Sequence, residues 1–459
     1  MRQARRRRQK LPEEAISIEI QRLSHDGRGV ATIDGKIAFV EGAISGERVM
    51  AQYTGRRKQY DELKTVQVLS ASPDRVEPPC AHADICGGCA MQHINPAAQI
   101  ALKEKVLHEQ LHHLGGVSDF TPIAPMLSQT QGYRRKARLA LRYVSKKESM
   151  LVGFREKNSS FIAEMSSCAV LNEAVSKLIM PLRELLGRFD GRLHIPQIEV
   201  AVGEQEQAQA SGEHSATQLA FVLRHLEPLS DTDLQALLAF AQQHAIDLYL
   251  QAKGPDTIYK VWPVEGEERL YYYLPDFALK MAFHPSDFTQ VNGELNRKMI
   301  AYALELLDPQ EDETVLDLFC GLGNFTLPIA RRCRKVVGVE GSEEMVRRGY
   351  ENAKANGIDN AQFYSANLTL DFDQSTWAQP IYDKILLDPP RSGALEIIPR
   401  IAAFKAKKIV YISCNPATLA RDAGELAKLG YVMTKAGVMD MFPHTSHVES
   451  IAEFVLKKR

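Results

Sequence analysis

The sequence predicts three folded units: an N-terminal OB-like β-barrel at residues 11–72, a central α+β domain at 73–292 and a C-terminal α/β Rossmann-like domain at 293–459. Short strand-like runs separated by glycine turns define the first unit, and closely spaced cysteines open the second. The third shows apolar strands alternating with helical segments. A chain of 459 residues, 45% of them hydrophobic, can bury several cores.

The composition narrows the location and the class of the protein. No apolar run is long enough to cross a bilayer, and no apolar region follows the basic N-terminus, so neither a membrane span nor a secretory signal is expected and the cytoplasm is predicted. Seven cysteines are too few and odd in number for a disulfide framework, which favours metal binding or catalysis. The net charge of -1 gives no general sign of a nucleic-acid partner. Residues 1–10 are arginine-rich and predicted to form a disordered basic arm, either a contact for RNA or a solubilising tail.

Residues 11–72 contain five strand-like runs, ISIEI, GVATID, KIAFV, RVMAQY and LKTVQVL. Five short strands at this spacing predict a small closed barrel of the kind that binds oligonucleotides, and a purely structural barrel is the alternative. Arg56, Arg57 and Lys58 fall in one predicted loop. The stretch resembles a TRAM domain, an RNA-binding barrel found in RNA-modifying enzymes, and this resemblance implies an RNA partner.

The cysteine loop has the spacing C-x5-C-x2-C, formed by Cys80, Cys86 and Cys89. Cys168 supplies a fourth thiolate if the intervening chain folds back. Soft thiolates suit zinc and an iron–sulfur cluster equally well, so the spacing leaves both open. A thioredoxin-like use of CGGC is a weaker alternative, and a fourth ligand argues against a radical enzyme with one open iron.

The segment YRRKARLALRY, from Tyr133, alternates basic and apolar residues. Alternation places Lys136, Arg138 and Arg142 on one face of a strand, which predicts either a phosphate-tracking surface or simply solvated charges. The polar stretch GEQEQAQASGEHSAT, from Gly203, is predicted to be a surface loop insertion.

The C-terminal unit opens with a nucleotide-cofactor pattern. ETVLDLFCGLGNFTLPIA is read as strand, glycine-rich turn and helix, and the next strand, KVVGVE, ends in Glu340. In a doubly wound sheet the glycines let a cofactor approach the backbone while the carboxylate binds ribose hydroxyls. The third glycine of the dinucleotide fingerprint is absent, because Asn324 follows Gly323, so S-adenosylmethionine (SAM) is favoured over a dinucleotide.

Two later strand ends predict the reaction. LLDPPRSG places Asp388 and Arg391 after one apolar strand, and YISCNP places Cys414 after the next. C5 of uracil is too weak a nucleophile to accept a methyl group unless a thiolate first adds to C6, a step that Cys414 suits. A buried, inert cysteine is the alternative reading. A base must then remove the C5 proton, and His444, His447 and Glu449 are the candidates.

These motifs, in this order, resemble the SAM-dependent RNA uracil-C5 methyltransferases: FHPSDFTQVN, LDLFCGLGNF, GVE, LLDPPRSG, YISCNP and HVE. The resemblance implies that Cys414 is the nucleophile and Glu449 the base. It also implies a SAM site lined by Gln290, Phe319, Asn324, Glu340, Asn367 and Asp388.

Members of this family with both a TRAM barrel and the cysteine loop act on a specific uridine of 23S rRNA. The resemblance to them implies a [4Fe-4S] cluster held by Cys80, Cys86, Cys89 and Cys168. The cluster is expected to be structural, because its ligands lie far along the chain from Cys414. Two alternatives remain, another rRNA-directed branch with a reduced barrel and a catalytically inactive RNA-binding scaffold.

Overall fold

The computed structural model describes residues 11–205, 217–370, 372, 375–378 and 382–457. The predicted basic arm and most of the predicted polar insertion, residues 206–216, therefore lie outside the described residues. Among the described residues, no helix is long and apolar enough to cross a membrane.

The N-terminal region is one six-stranded sheet in the order β1-β5-β6-β4-β3-β2. All five predicted runs form strands, with a short additional strand between the first two. β4 and β6 pair in parallel, and the other neighbours are antiparallel. Alternate residues such as Val40, Val49 and Leu63 face a small core of their own. The strands are β1 (Ile16–Glu19), β2 (Arg22–Leu23), β3 (Gly29–Ile33), β4 (Lys36–Glu41), β5 (Arg48–Arg56) and β6 (Tyr60–Ser70).

The central region combines helices with a six-stranded sheet in the order β13-β12-β11-β10-β8-β9. Ala137, Leu139 and Leu141 of β8 are buried while Arg138 and Arg142 are exposed, which confirms the predicted alternation. The elements are α1 (Pro96–His113), β7 (Thr121–Pro122), β8 (Lys136–Val144), β9 (Ser149–Gly153), α2 (Glu173–Ser176), α3 (Ile179–Gly187), β10 (Gln197–Glu204), β11 (Thr217–Arg224), α4 (Asp231–Gln243), β12 (Ile246–Gln251), β13 (Ile258–Trp262), and the hairpin of β14 (Leu270–Leu274) and β15 (Leu279–Phe283).

The C-terminal region is built on an eight-stranded sheet in the order β18-β17-β16-β19-β20-β22-β21-β7. Strands β16, β17, β18, β19 and β20 are mutually parallel, and β22 runs antiparallel to β20. The predicted strand–helix alternation is thus present, with an antiparallel strand added beside β20. The elements are α5 (Gly293–Leu307), β16 (Thr314–Leu318), α6 (Thr326–Ala330), β17 (Lys335–Glu340), α7 (Glu343–Ala355), β18 (Ala361–Ser365), β19 (Lys384–Leu387), α8 (Ile398–Ala403), β20 (Lys408–Ser413), α9 (Pro416–Lys428), β21 (Tyr431–Met439) and β22 (Glu449–Leu456).

Strand β7 joins the C-terminal sheet and helix α1 packs on it, although both precede the central sheet in the chain. Leu107 and Leu111 of α1 are fully buried in the same core as Leu419 of α9 and Val438 of β21. β7 extends the sheet by pairing in parallel with β21. The predicted domain boundaries at residues 72 and 292 stay a prediction. Residues 96–122 belong to the predicted central domain by position in the chain, but they pack against the C-terminal sheet.

Candidate functional site

The site forms at the carboxyl edge of the C-terminal sheet, where the parallel strands end side by side. The Phe319 N–H donates to the Val339 carbonyl at 2.8 Å, and the Asp388 N–H donates to the Leu318 carbonyl at 3.3 Å. These bonds align the ends of β16, β17 and β19. Ligands of doubly wound sheets bind at this edge.

The glycine-rich turn after β16 is held by Glu340 at the end of β17. The Glu340 carboxylate accepts a hydrogen bond from the Gly321 N–H at 3.1 Å and another from the Ser342 N–H at 3.0 Å. Phe319, Gly321 and Gly323 have φ values of 66°, 54° and 96°, in the left-handed region that glycine adopts at little cost. The turn therefore presents open backbone beside a carboxylate, as the sequence predicts for a nucleotide cofactor.

Three further predicted cofactor residues lie around this turn. Asn324 is bound on both sides: its Oδ1 accepts from the Tyr272 hydroxyl at 2.8 Å, and its Nδ2 donates to the Asn296 Oδ1 at 2.9 Å. Gln290 lines a small cavity together with Tyr272 and Asn296. Asn367 follows β18, and its Oδ1 accepts two hydrogen bonds from Thr369. Gln290 and Asn324 thus share neighbours, whereas the side-chain bonds of Asn367 are local.

Two acidic side chains with raised pKa values lie at the inner part of this edge, of which Asp317 is fully buried and Asp388 is half-buried. Burial raises the pKa of Asp388 to about 7. Burial also raises the pKa of Asp317 to about 8, with the nearby Asp388 and Glu340 adding to the rise, although a hydrogen bond from the Thr326 hydroxyl opposes it. The second oxygen of Asp317 has no partner among the described residues. Asp317 was not singled out from the sequence, but an acid inside the apolar run VLDLF is the signal that could have found it.

Cys414 and Glu449 lie at the same end of the pairing between β20 and β22. Ser413 opposite Ser450 is the last pair of this antiparallel ladder, Cys414 follows Ser413 directly, and Glu449 directly precedes Ser450. The two residues are close enough for the Glu449 charge to raise the pKa of the Cys414 thiol. The structure therefore brings together two residues that the sequence analysis singled out separately.

The ionisation of this pair depends on burial and on Arg391. Glu449 is only 4% exposed, and burial, helped by Asp388, raises its pKa to about 8. The pKa of the Cys414 thiol is raised by burial and by the negative charges of Glu449 and Asp388. The Arg391 guanidinium opposes both shifts, so it is the cation that favours the ionised forms.

The two histidine candidates for the base occupy different surroundings. The His444 ring lies 3.2 Å from the Gln99 side-chain amide, and its backbone carbonyl accepts from the Met91 N–H at 3.0 Å. His444 therefore ties the C-terminal domain to the segment after the cysteine loop. His447 lies 3.4 Å from the Arg391 guanidinium and lines a cavity of about 360 Å³ with Cys414, which we call the catalytic pocket.

The four cysteines predicted as ligands line a second cavity of about 330 Å³, which we call the cysteine cavity. All are buried free thiols, so the fold brings Cys168 back to the C-x5-C-x2-C loop. Burial, together with the neighbouring thiols, raises the pKa of Cys89 to about 12 and that of Cys168 to about 11. Among the described residues, no three histidine, cysteine or acidic side chains are placed to hold a single metal ion. Soft sulfur donors around one cavity nevertheless fit a cluster that is larger than one ion.

The cysteine cavity adjoins the catalytic pocket. Arg391 and His447 line both cavities, and Phe442 and Thr445 add to the wall of the cysteine cavity. The separation of these sites along the chain is thus not a separation in space.

Comparison with known proteins finds relatives along almost the whole chain. The 23S rRNA (uracil(1939)-C(5))-methyltransferase RlmD of Alcanivorax borkumensis is 52% identical over 454 residues, which cover 99% of both chains. The protein of the same name from Hahella chejuensis is 53% identical over 98% of this chain and 99% of its own. The tRNA (uracil-5-)-methyltransferase family profile matches residues 273–459.

A solved structure confirms the fold at lower identity. The crystal structure of Pyrococcus abyssi tRNA (uracil-54, C5)-methyltransferase in complex with S-adenosyl-L-homocysteine has a TM-score of 0.70 and 24% identity, covering 96% of this chain and 100% of that one. The two proteins therefore share a fold over almost their whole length. With half of its residues shared over nearly its full length, the chain belongs to the RlmD family of SAM-dependent RNA uracil-C5 methyltransferases.

Proposed function

We propose that this protein transfers the methyl group of SAM to C5 of a uridine in 23S rRNA, at the position equivalent to the one named for its relatives. The observation that carries the proposal is that Cys414 and Glu449 lie together at the end of the β20–β22 pairing, near Asp388. The names of the full-length relatives support 23S rRNA as the substrate.

SAM is proposed to bind along the carboxyl edge formed by β18, β17, β16 and β19, in their order across the sheet. We propose that Glu340 accepts hydrogen bonds from the ribose hydroxyls, and that the cofactor approaches the open backbone of the turn that Glu340 holds. Asp388, at the end of β19, lies between this turn and Cys414 in the order of strands. The proposed lining residues are Gln290, Phe319, Asn324, Glu340, Asn367 and Asp388.

The proposed reaction begins with the target uracil turned out of its RNA stack, because neither the thiol nor the methyl group can reach a stacked base. The Cys414 thiolate, stabilised by Arg391, forms a bond to C6, and the C5=C6 electron pair moves to give an enolate. C5 then bonds to the methyl carbon as its bond to the cofactor sulfur breaks, which releases S-adenosylhomocysteine. Glu449 takes the C5 proton, the C5=C6 bond reforms and the thiolate leaves.

Glu449 is preferred as the base for a geometric reason. It lies beside Cys414 at the end of the β20–β22 pairing, whereas the His444 ring lies against Gln99 and its backbone is bonded to Gln99 and Met91. With a pKa of about 8, Glu449 is a far stronger base than an ordinary carboxylate once it is ionised. His447, beside Arg391, is the second candidate for this step.

We further propose that Cys80, Cys86, Cys89 and Cys168 hold a [4Fe-4S] cluster. The four buried thiols around one cavity supply the four soft donors that such a cluster needs, and the resemblance to family members that carry a cluster favours it over zinc.

The N-terminal sheet is proposed to be a TRAM barrel that contacts RNA. Arginines stack on aromatic rings at its surface: the Arg28 guanidinium lies 4.5 Å from the Phe39 ring centre, and that of Arg56 lies 5.1 Å from the Tyr53 ring centre. Such pairs suit phosphate and base contacts. Arg138 of β8 is paired with Glu199 at 2.8 Å, and Arg28 is likewise paired with Asp26 at 2.7 Å, so each of these two arginines is a weaker candidate for a phosphate contact than an unpaired one.

The proposed function is tested by incubating the purified protein with 23S rRNA that lacks the modification and with methyl-labelled SAM. We expect one labelled 5-methyluridine at the equivalent uridine, mapped by nuclease fragments and mass spectrometry. Label in tRNA alone, or at another 23S rRNA uridine, would move the substrate to a different branch of the family. SAM binding without transfer to any RNA would favour the inactive scaffold.

A further inference from the structure

The segment 284–292 carries Gln290 into the cofactor site without belonging to a helix or a strand. Its first turn is closed by Asp287, whose carboxylate accepts from the His284 N–H at 2.7 Å and whose own N–H donates to the His284 carbonyl at 2.9 Å. Its far end is held by the Arg135 N–H, which donates to the Val291 carbonyl at 2.8 Å.

Asp287 also forms a buried ion pair with helix α7. The Arg348 Nε donates to the Asp287 carboxylate at 3.0 Å, and both side chains are only 1% exposed. A buried ion pair contributes little net stability, because removing both charges from water offsets their attraction. What the arginine supplies is geometry, because its Nε holds Asp287 while its Nη1 donates to the Glu351 carboxylate on the same helix at 2.8 Å.

Helix α7 connects this ion pair to the glycine-rich turn. It begins directly after Ser342, whose N–H binds the Glu340 carboxylate. One turn past Arg348, the Asn352 side chain binds both backbone groups of Ala282 in β15, and its Nδ2 also reaches the Leu322 carbonyl within the turn at 3.4 Å. The same helix thus holds the turn and, through Arg348, the segment that carries Gln290.

We propose that Asp287 is a positioning residue that, through Arg348, fixes segment 284–292 and hence Gln290 against the glycine-rich turn, so that SAM affinity depends on this buried pair. The inference rests on the proposed function, because it assumes that SAM binds at this edge. Misplacing a group that positions substrate costs up to about 100-fold even when the change is remote from the chemistry.

The test is the variant Asp287→Asn in the full-length protein, with SAM affinity measured by calorimetry beside the melting temperature. We expect the SAM Kd to rise by about tenfold or more, KM for SAM to rise more than kcat falls, and RNA affinity to stay unchanged. Glu313→Gln is the matched control, because Glu313 forms a buried pair with Lys384 at 2.8 Å. This pair lies at the amino ends of β16 and β19, away from the carboxyl edge proposed to bind SAM. It should lower the melting temperature similarly and leave the SAM Kd unchanged.

The outcomes separate this inference from the proposed function. If the unaltered protein does not bind SAM, the proposed function fails first. If it binds SAM and Asp287→Asn binds equally well, or if Glu313→Gln weakens SAM binding as much, the positioning role is wrong. Should Asp287→Asn not fold, Arg348→Lys keeps the charge but loses the paired N–H donors, and a folded Arg348→Lys protein with normal SAM affinity would overturn the inference.

Discussion

The catalytic pocket and the cysteine cavity place their thiols in different surroundings. Cys414 is partly exposed and lies near two carboxyl groups and the Arg391 guanidinium. The four thiols of the cysteine cavity are buried, and Cys89 and Cys168 are each affected by their neighbouring thiols. Burial raises the pKa in both places, but Cys414 stands alone with an accessible face, whereas the other four are grouped around one cavity. A thiol in the first setting suits attack on a substrate, whereas the second set suits a shared cationic centre.

The largest expected effect concerns the nucleophile. Cys414→Ala should abolish methyl transfer, by about 10⁴-fold or more, because no other group can activate C5. SAM and RNA affinities should stay near those of the unaltered protein, measured by calorimetry and filter binding. Cys333→Ala is the control, since Cys333 is also a buried free thiol but lies outside both cavities. Residual turnover near the normal rate would show that Cys414 is only a core cysteine.

Replacing the base should stop the reaction at a later step. Glu449→Gln should still add to C6 and methylate, then accumulate a protein–RNA adduct carrying labelled methyl, because elimination requires loss of the C5 proton. Turnover should fall by about 10²–10⁴-fold. The adduct is measured by denaturing electrophoresis, with His447→Ala as the comparison. Normal turnover of Glu449→Gln together with a labelled adduct in His447→Ala would reassign the base to the histidine.

The cysteine cavity should respond differently from the catalytic pocket. Cys168→Ser should lose iron and sulfide together, because serine replaces one of four soft donors, and the melting temperature should fall by several degrees. Iron, sulfide and zinc analysis after anaerobic purification measures this, with Cys333→Ser as the control. Stoichiometric zinc without sulfide in the unaltered protein would contradict the cluster.

The wall shared by the catalytic pocket and the cysteine cavity changes the expectation that the cysteines act far from Cys414. Long separation along the chain suggested that the cysteines act far from Cys414, yet Arg391 and His447 line both cavities. A purely structural role for the cysteines stays a prediction. Loss of RNA binding in Cys168→Ser would support it, whereas a folded variant that binds RNA normally but has lost only methyl transfer would oppose it.

The sequence predicted the elements better than it predicted their mutual placement. Apolar periodicity identified the N-terminal strands, the alternation along β8 and the glycine-rich turn, because local burial patterns determine them. It could not show that β7 joins the C-terminal sheet and α1 packs on it, or that Cys414 lies near Glu449, because both depend on contacts between distant segments. Asp287 was inside a recognised motif, but its partner Arg348 lies on another element, so its role was not visible.

The smallest expected effect is a shift in pH dependence. Both groups must be deprotonated to act, and the pKa of Glu449 is raised to about 8 while that of Cys414 is raised by burial and by neighbouring acids. The methyl-transfer rate should therefore increase with pH through about 8, where Glu449 ionises, and go on increasing at higher pH as the Cys414 thiol ionises. Removing the cation in Arg391→Gln should raise both pKa values further and move this limb to higher pH, because Arg391 favours the ionised forms.

The shift is measured in single-turnover methylation and, independently of turnover, in the rate of Cys414 alkylation by iodoacetamide across the same pH range. Lys407→Gln serves as the control, because Lys407 is exposed and pairs with Asp383 just before β20, at the opposite end of that strand from Cys414.

The contribution of Glu449 to stability should change with pH in the opposite sense to the methyl-transfer rate. A carboxyl whose pKa is raised on folding binds its proton more tightly in the folded state, so its contribution to stability is full below the unfolded pKa and is lost as pH rises through about 8. Glu449→Gln should consequently melt higher than the unaltered protein by a margin that grows from pH 5 to about pH 8. A constant margin over that range would mean that the carboxyl is already ionised in the folded protein.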